Sequence, residues 1–178
     1  MKFIAAITII TFPLLIGAAP IENPIPYSSR YEYWLGTHVQ TGGSTGIVGM
    51  SADIHVFDHY ALVPKAGTGI YFNAAALEVR YFMTQTSFAP YIAVGVARWS
   101  HTGSPEKLKE TWGFAKESGL VRSDGSVRKD EVYLQTSSVG IHYISEYGFS
   151  AALEFTGLFS YETQTFIPWG GLSFGWYF

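Results

Sequence analysis

The chain has 178 residues, of which 48% are hydrophobic, 17% aromatic and only 14% charged. This length suggests one domain, and so many aromatic residues with so little charge argue against a disordered chain. The formal net charge of −3 gives no reason to expect a nucleic acid partner. Because the chain has no cysteine, disulfides, thiolate metal sites, thiol nucleophiles and an N-terminal lipidated cysteine are excluded.

The first 19 residues follow the pattern of a secretory signal peptide. The basic residue Lys2 precedes an apolar stretch at 3–16, and the small residues that follow suit a signal peptidase. Because a membrane-spanning helix needs about 20 apolar residues, we expect cleavage after Ala18 or Ala19 rather than retention as an anchor. Residues 20–29 follow as a proline-rich, extended segment.

From residue 30 onward, short segments carry apolar residues at every second position, which is the pattern of β-strands with one apolar face. Turn residues separate these segments. The sequence predicts eight strands, at 31–39, 48–56, 64–72, 75–83, 92–97, 138–143, 149–155 and 166–178.

The polar faces of these strands carry five charged residues, namely Asp53, Lys65, Glu78, Arg80 and Glu154. Lipid cannot hydrate a charge, so in a membrane barrel these side chains face the lumen and pair there. Eight strands leave an interior that side chains can fill, and we therefore predict a charge network that plugs the lumen. A soluble β-sandwich would instead bury the apolar faces. The signal peptide and the aromatic residues at strand ends favour the barrel.

The lengths of the connections test this interpretation. With the C-terminus in the periplasm, the periplasmic turns are short, at 58–60, 85–89 and 145–148. The outer connections fall at 41–46, near Asn73, at 100–130 and at 157–165. An even strand number places the single long loop outside, as membrane barrels require. We therefore predict an all-β fold for 30–178, an eight-stranded antiparallel up-and-down transmembrane β-barrel.

Two stretches resemble a known group of proteins. The last strand, 170–178, has apolar residues at alternate positions and ends on Phe174, Trp176 and Phe178, which resembles the signal read by the outer-membrane barrel assembly machinery. The segments 77–82 and 90–96 resemble a strand–turn–strand unit of the OmpA-like, OmpX/Ail and OmpW-like barrels. This resemblance implies a bacterial outer-membrane location, with membrane lipids, lipopolysaccharide and the assembly machinery as partners. It implies little about activity.

The third outer loop carries much of the charge, with six basic and six acidic residues between Glu106 and Glu131. Ser104 and Pro105 are typical of a helix start, and Leu108 and Trp112 then share one face of a helix that runs to about Ser118. The pair is expected either to cap the barrel mouth or to form a recognition surface for a protein ligand or lipopolysaccharide. Arg98, at the outer end of its strand, is expected to meet lipopolysaccharide phosphates or to snorkel.

Three histidines, His38, His55 and His142, fall on the inward faces. Their spacing matches no metal-ligand motif, so we expect structural hydrogen bonding and neither a metal nor another cofactor. Catalysis is also not expected. The barrel deacylase of lipid A carries a His-x-Ser pair, whereas His142 and Ser145 have a wider spacing, and the barrel palmitoyl transferase has an amphipathic helix where this chain is proline-rich.

The expected function is therefore a structural or surface-interaction role carried by the outer loops of a monomeric outer-membrane barrel. A narrow pore for small or hydrophobic solutes is the alternative. A lipid A-modifying enzyme is a distant third.

Overall fold

The computed structural model describes residues 33–70, 72–102, 116–120 and 131–178. The predicted signal peptide, the extended segment 20–29 and the loop residues Leu108 and Trp112 lie outside these ranges. The strands are β1 Leu35–Gly42, β2 Val48–Phe57, β3 Tyr60–Thr68, β4 Phe72–Phe82, β5 Phe88–His101, β6 Glu131–Ile144, β7 Phe149–Ser160 and β8 Thr165–Tyr177. A short 3-10 turn, Gly43–Thr45, follows β1.

Every strand pairs antiparallel with its neighbours in sequence, and β8 pairs with β1, so the sheet closes into an eight-stranded up-and-down barrel. This confirms the predicted fold. The rim that carries Leu35 and Phe178 is called the terminal end, and the opposite rim the loop end. Connections at the terminal end are short, and the long connection between β5 and β6 lies at the loop end. No helix among the described residues is both long and apolar enough to span a membrane.

Side chains alternate along each strand, so one face of the strand lies on the outer surface of the barrel and the other faces the lumen. Val39, Met50 and Leu153 are 58%, 64% and 60% exposed on the outer surface, in the phase that the sequence predicts. The lumen receives the opposite set, including the five predicted charges. The outer surface is therefore a belt of apolar side chains around a closed sheet.

Glycines face the largest inward side chains. Tyr91 is the cross-strand partner of Gly140, and Tyr177 that of Gly36. A Cβ on Gly140 would lie 2.5 Å from the Tyr91 ring, and one on Gly36 would lie 2.6 Å from the Tyr177 ring. Small residues on one strand therefore make room for the rings of its neighbour, so the narrow lumen can hold them.

The third strand and its outer turn differ from the prediction. Phe72 was expected on the outer face at the end of the third strand, but it begins β4 and is buried inside. The outer connection falls between Thr68 and Phe72 rather than near Asn73, which is paired with Thr68. An apolar residue next to a turn fits either phase, because the turn resets the alternation.

Candidate functional site

The lumen contains three groups of side chains, one above the other. The charge layer, in the middle, comprises Asp53, Lys65, Glu78, Arg80 and Glu154. The apolar layer, at the loop end, comprises Phe72, Trp99, Leu120, Leu134, Leu158, Ile167 and Trp169. The histidine layer, at the terminal end, comprises His38, His55, Phe82, His142 and Tyr177.

The charge layer is one connected chain of ion pairs, to which β2, β3, β4 and β7 contribute side chains. The Lys65 Nζ lies 2.7 Å from Glu78 Oε2 and 3.2 Å from Glu154 Oε1. The Arg80 guanidinium lies 2.5 Å from Asp53 Oδ2 and 3.6 Å from Glu154 Oε2. Glu154 therefore joins the two cations, and the structure brings together all five residues singled out from the sequence.

Uncharged donors occupy further carboxylate oxygens of this layer. The Tyr91 hydroxyl donates to Glu154 at 2.9 Å, and the Thr156 hydroxyl donates to the same carboxylate at 2.7 Å. The Tyr177 hydroxyl donates to Asp53 at 2.8 Å. The Tyr91 ring also lies 4.4 Å from the Arg80 guanidinium carbon, in the geometry of a cation–π contact. Buried charges need such partners, because an unpaired charge in the lumen would be strongly destabilising.

The first outer connection folds into the lumen instead of outward. Residues 43–45 are buried, and the Ser44 hydroxyl donates to Glu78 Oε1 at 2.7 Å. The Trp99 indole N–H donates to the Ser44 carbonyl at 2.9 Å. Gly42 makes this entry possible, because its φ of +79° is unfavourable for other residues and a Cβ there would lie 1.9 Å from the Gly170 carbonyl oxygen. Residues 43–45 therefore form a plug segment above the charge layer.

The apolar layer closes the loop end beside this segment. Phe72 stacks on Trp99 with ring centroids 4.2 Å apart, and Trp169 meets Trp99 edge-on at 6.0 Å. Leu120, from the middle of the long connection, is buried in the same cluster. The Ser160 hydroxyl donates to the Ser118 carbonyl at 2.8 Å. The middle of the long connection is thereby anchored to the barrel mouth.

At the terminal end, Ser150, His38 and Asp53 are arranged in the order of a Ser-His-Asp triad. The Ser150 Oγ lies 2.8 Å from His38 Nε2, and His38 Nδ1 lies 3.7 Å from Asp53 Oδ1. Ser150 is completely buried, so a substrate has no access to its hydroxyl. The His–Asp separation is also too long for the hydrogen bond that orients a catalytic imidazole.

Other residues singled out from the sequence lie on the outer surface. Phe174, Trp176 and Phe178 are exposed on β8 and just after it. Arg98 is exposed and forms an ion pair with Glu131 of the neighbouring strand. Lys116 and Glu117 are helical and Gly119 has a φ of +90°, which agrees with a helix ending near Ser118.

Two large lumen residues were not identified from the sequence. Tyr91 and Trp99 fill the lumen but were overlooked, because large aromatic rings near strand ends also suit the membrane interface. Their inward position could have been predicted from the alternation of side chains along β5. The plug segment left no comparable signal, since a Gly-Gly-Ser-Thr turn reads as an ordinary loop.

No protein-family model matches the sequence, and no curated protein matches it. Among solved structures, the N-terminal β-barrel domain of OprF from Pseudomonas aeruginosa is similar with a TM-score of 0.53 and 17% identity, over 80% of this chain and 96% of that chain. A de novo designed transmembrane β-barrel gives a TM-score of 0.46 with 13% identity, over 81% and 94% of the two chains. Ail, the attachment invasion locus protein of Yersinia pestis, gives 0.44 with 8% identity, over 81% and 95%.

The likeness to the OprF domain concerns the fold. Together with the closed sheet and the charged lumen, it defines the class of the chain as a small eight-stranded transmembrane-type β-barrel.

Proposed function

We propose that this protein is an integral, monomeric barrel of the bacterial outer membrane with a structural or surface-interaction role carried by its outer loops. The belt of exposed apolar side chains, which includes Val39, Met50 and Leu153, supports a lipid environment, because a soluble protein rarely exposes so large an apolar surface. Loops at one end and short turns at the other support an orientation with the terminal end in the periplasm.

The observation that carries this proposal is the filled lumen. Charges in its middle are paired with one another, the plug segment lies above them, and the apolar layer closes the loop end. In the part of the chain that the structure describes, side chains therefore occupy the lumen where a substrate or a solute path would lie. Function then falls to the outer connections, of which the one between β5 and β6 is the longest.

Leu120 and the Ser160–Ser118 hydrogen bond hold the middle of the long connection at the barrel mouth. The charged segment of this connection, with Leu108 and Trp112, is the part that we propose for recognition. Aromatic residues among charges are typical of recognition surfaces, so a surface protein or lipopolysaccharide is the partner we propose for it. For Arg98 the ion pair with Glu131 favours a role within the barrel wall over one in binding phosphate.

Cell fractionation combined with a surface tag tests the proposal. An epitope inserted after Gly113 should be accessible to antibody on intact cells, and the protein should sediment with the outer membrane. In detergent it should show the heat-dependent gel shift of folded barrels, and a fluorophosphonate probe should not label Ser150. A detergent-free soluble protein, or stoichiometric labelling, would contradict the assignment.

A narrow pore is the second candidate, and the plug segment is the observation that favours it. Polar contacts that can be exchanged for others, among them Ser44–Glu78 and Trp99–Ser44, hold the segment in the lumen. Planar-bilayer recordings distinguish the two functions. The proposed structural role predicts silent bilayers for the wild type and for Arg80→Ala, whereas discrete openings that grow in Arg80→Ala would establish a conduit.

A further inference from the structure

Three side chains with metal-ligand atoms meet in the histidine layer and its border with the charge layer. His38 of β1, Asp53 of β2 and His142 of β6 each present one ligand atom, and these atoms lie within 4.8 Å of one another. All three residues are buried, at 4%, 0% and 0% exposure. Two imidazole nitrogens and one carboxylate oxygen form a donor set that suits Zn²⁺.

Two of these ligands, His38 and Asp53, are hydrogen-bonded through the atom that points away from the other ligands. The Ser150 hydroxyl lies 2.8 Å from His38 Nε2, which leaves Nδ1 directed toward Asp53. Arg80 and Tyr177 both donate to Asp53 Oδ2, at 2.5 and 2.8 Å. Hydrogen bonds of this kind orient the ligands of zinc sites, because they fix the ring and the carboxylate while the metal-facing atoms stay available.

The other oxygen of Asp53, Oδ1, is available to a metal ion. Among the described residues, Asp53 Oδ1 is buried without a hydrogen-bond partner. The His38 Nδ1 atom lies 3.7 Å from this oxygen, beyond hydrogen-bond distance. A buried carboxylate oxygen that lacks a donor is unfavourable, and a metal ion beside it would satisfy it.

The charge of the lumen also fits an additional cation. The buried Asp, Glu, Lys and Arg side chains in the described part of the chain comprise three carboxylates and two cations. Neutral imidazole is the form that binds a metal. A divalent cation bound to Asp53 therefore adds positive charge where negative charge is in excess.

We propose that His38, Asp53 and His142 form a Zn²⁺ site inside the terminal end of the barrel. Ligand atoms of a tetrahedral zinc ion are separated by about 3.3 Å, so the two rings move toward the carboxylate by about 1 Å when the ion binds. The Tyr177 ring lies 5.3 Å from the His38 ring and 5.6 Å from the His142 ring. The Tyr177 ring therefore packs against both histidine rings of the site.

Zinc titration of the purified, metal-stripped protein in detergent micelles tests the proposal. We expect one Zn²⁺ per chain in competition with a chromophoric chelator, and X-ray absorption should show only nitrogen and oxygen ligands at about 2.0–2.1 Å. His38→Gln and His142→Gln should each weaken binding by tenfold or more. The matched control is His101→Gln, at the loop end of β5, which should bind as the wild type does.

The fold of each variant is checked by the heat-dependent gel shift. If a glutamine variant does not fold, Ser150→Ala replaces it, because loss of the His38 partner should weaken zinc binding while every ligand is retained. A folded wild type that binds no stoichiometric zinc overturns the proposal. So does zinc affinity that is unchanged in the folded His38 and His142 variants, or lost to the same degree in His101→Gln.

Discussion

At the scale of single residues, Glu154 is the point where the two cations of the lumen meet. Burying an ion pair costs much of the energy that the pairing returns, so the charge layer is not a strong source of net stability. Its members nevertheless depend on one another, because removing one leaves a buried charge without compensation. Single substitutions in this layer are therefore expected to lower the free energy of unfolding by far more than the ion pairs contribute to it in net terms.

Arg80→Ala tests this dependence. The substitution leaves Asp53 buried without its guanidinium partner, and we expect the free energy of unfolding to fall by about 3–5 kcal/mol. Urea titration of the protein in detergent micelles measures the change.

The control for this prediction is Arg98→Ala, which removes an exposed arginine from the pair with Glu131. Exposed pairs contribute about 0–1 kcal/mol, so the control should lose little. Equal losses in Arg80→Ala and Arg98→Ala would show that burial of the lumen pair does not matter.

At the scale of elements, the plug segment 43–45 distinguishes this barrel interior from one filled by strand side chains alone. The segment enters the lumen because two consecutive glycines, Gly42 and Gly43, have positive φ angles. Its contacts to Glu78 and Trp99 then join the charge layer to the apolar layer. A change in the backbone at Gly42 should therefore disturb both layers.

Gly42→Ala is expected to destabilise the barrel by about 1–3 kcal/mol from backbone strain, with a further loss from the clash between its Cβ and the Gly170 carbonyl. Thermal unfolding followed by the gel shift measures the loss. Gly170→Ala is a matched control from the facing strand, because nothing lies within 4 Å of a Cβ at that position. The control should behave as the wild type, and a comparable loss there would contradict the explanation.

At the scale of the whole molecule, closure depends on the pairing of β1 with β8, the first and last strands along the chain. The barrel can close only after β8 is available to pair with β1. Phe174, Trp176 and Phe178 lie on or beside this last strand and are exposed, so they are accessible before and after closure. Such a position suits the assembly signal that the terminal residues resemble.

Deletion of Phe178 should therefore reduce insertion into the outer membrane of cells several-fold, while refolding of the purified protein in detergent stays efficient. Immunoblots of membrane fractions and the gel shift measure the two effects. Phe155→Ala removes another exposed ring, from β7, and should insert normally. If both variants insert equally, the terminal residue has no special role in assembly.

The sequence by itself determined the strand number, the inward and outward faces and the five lumen charges. These follow from a period of two, which depends only on neighbouring residues and on the cost of placing charge in lipid. The position of Phe72 was missed, because the turn before it breaks that local period.

Only the tertiary structure decided which inward residues meet. His38, Asp53 and His142 come from three strands and converge only when β8 closes on β1, as do Lys65 and Glu154 across the lumen. The plug segment likewise depends on space that exists only inside the closed barrel. Such contacts join residues far apart in the chain, and their geometry is set by barrel closure, which no local pattern encodes.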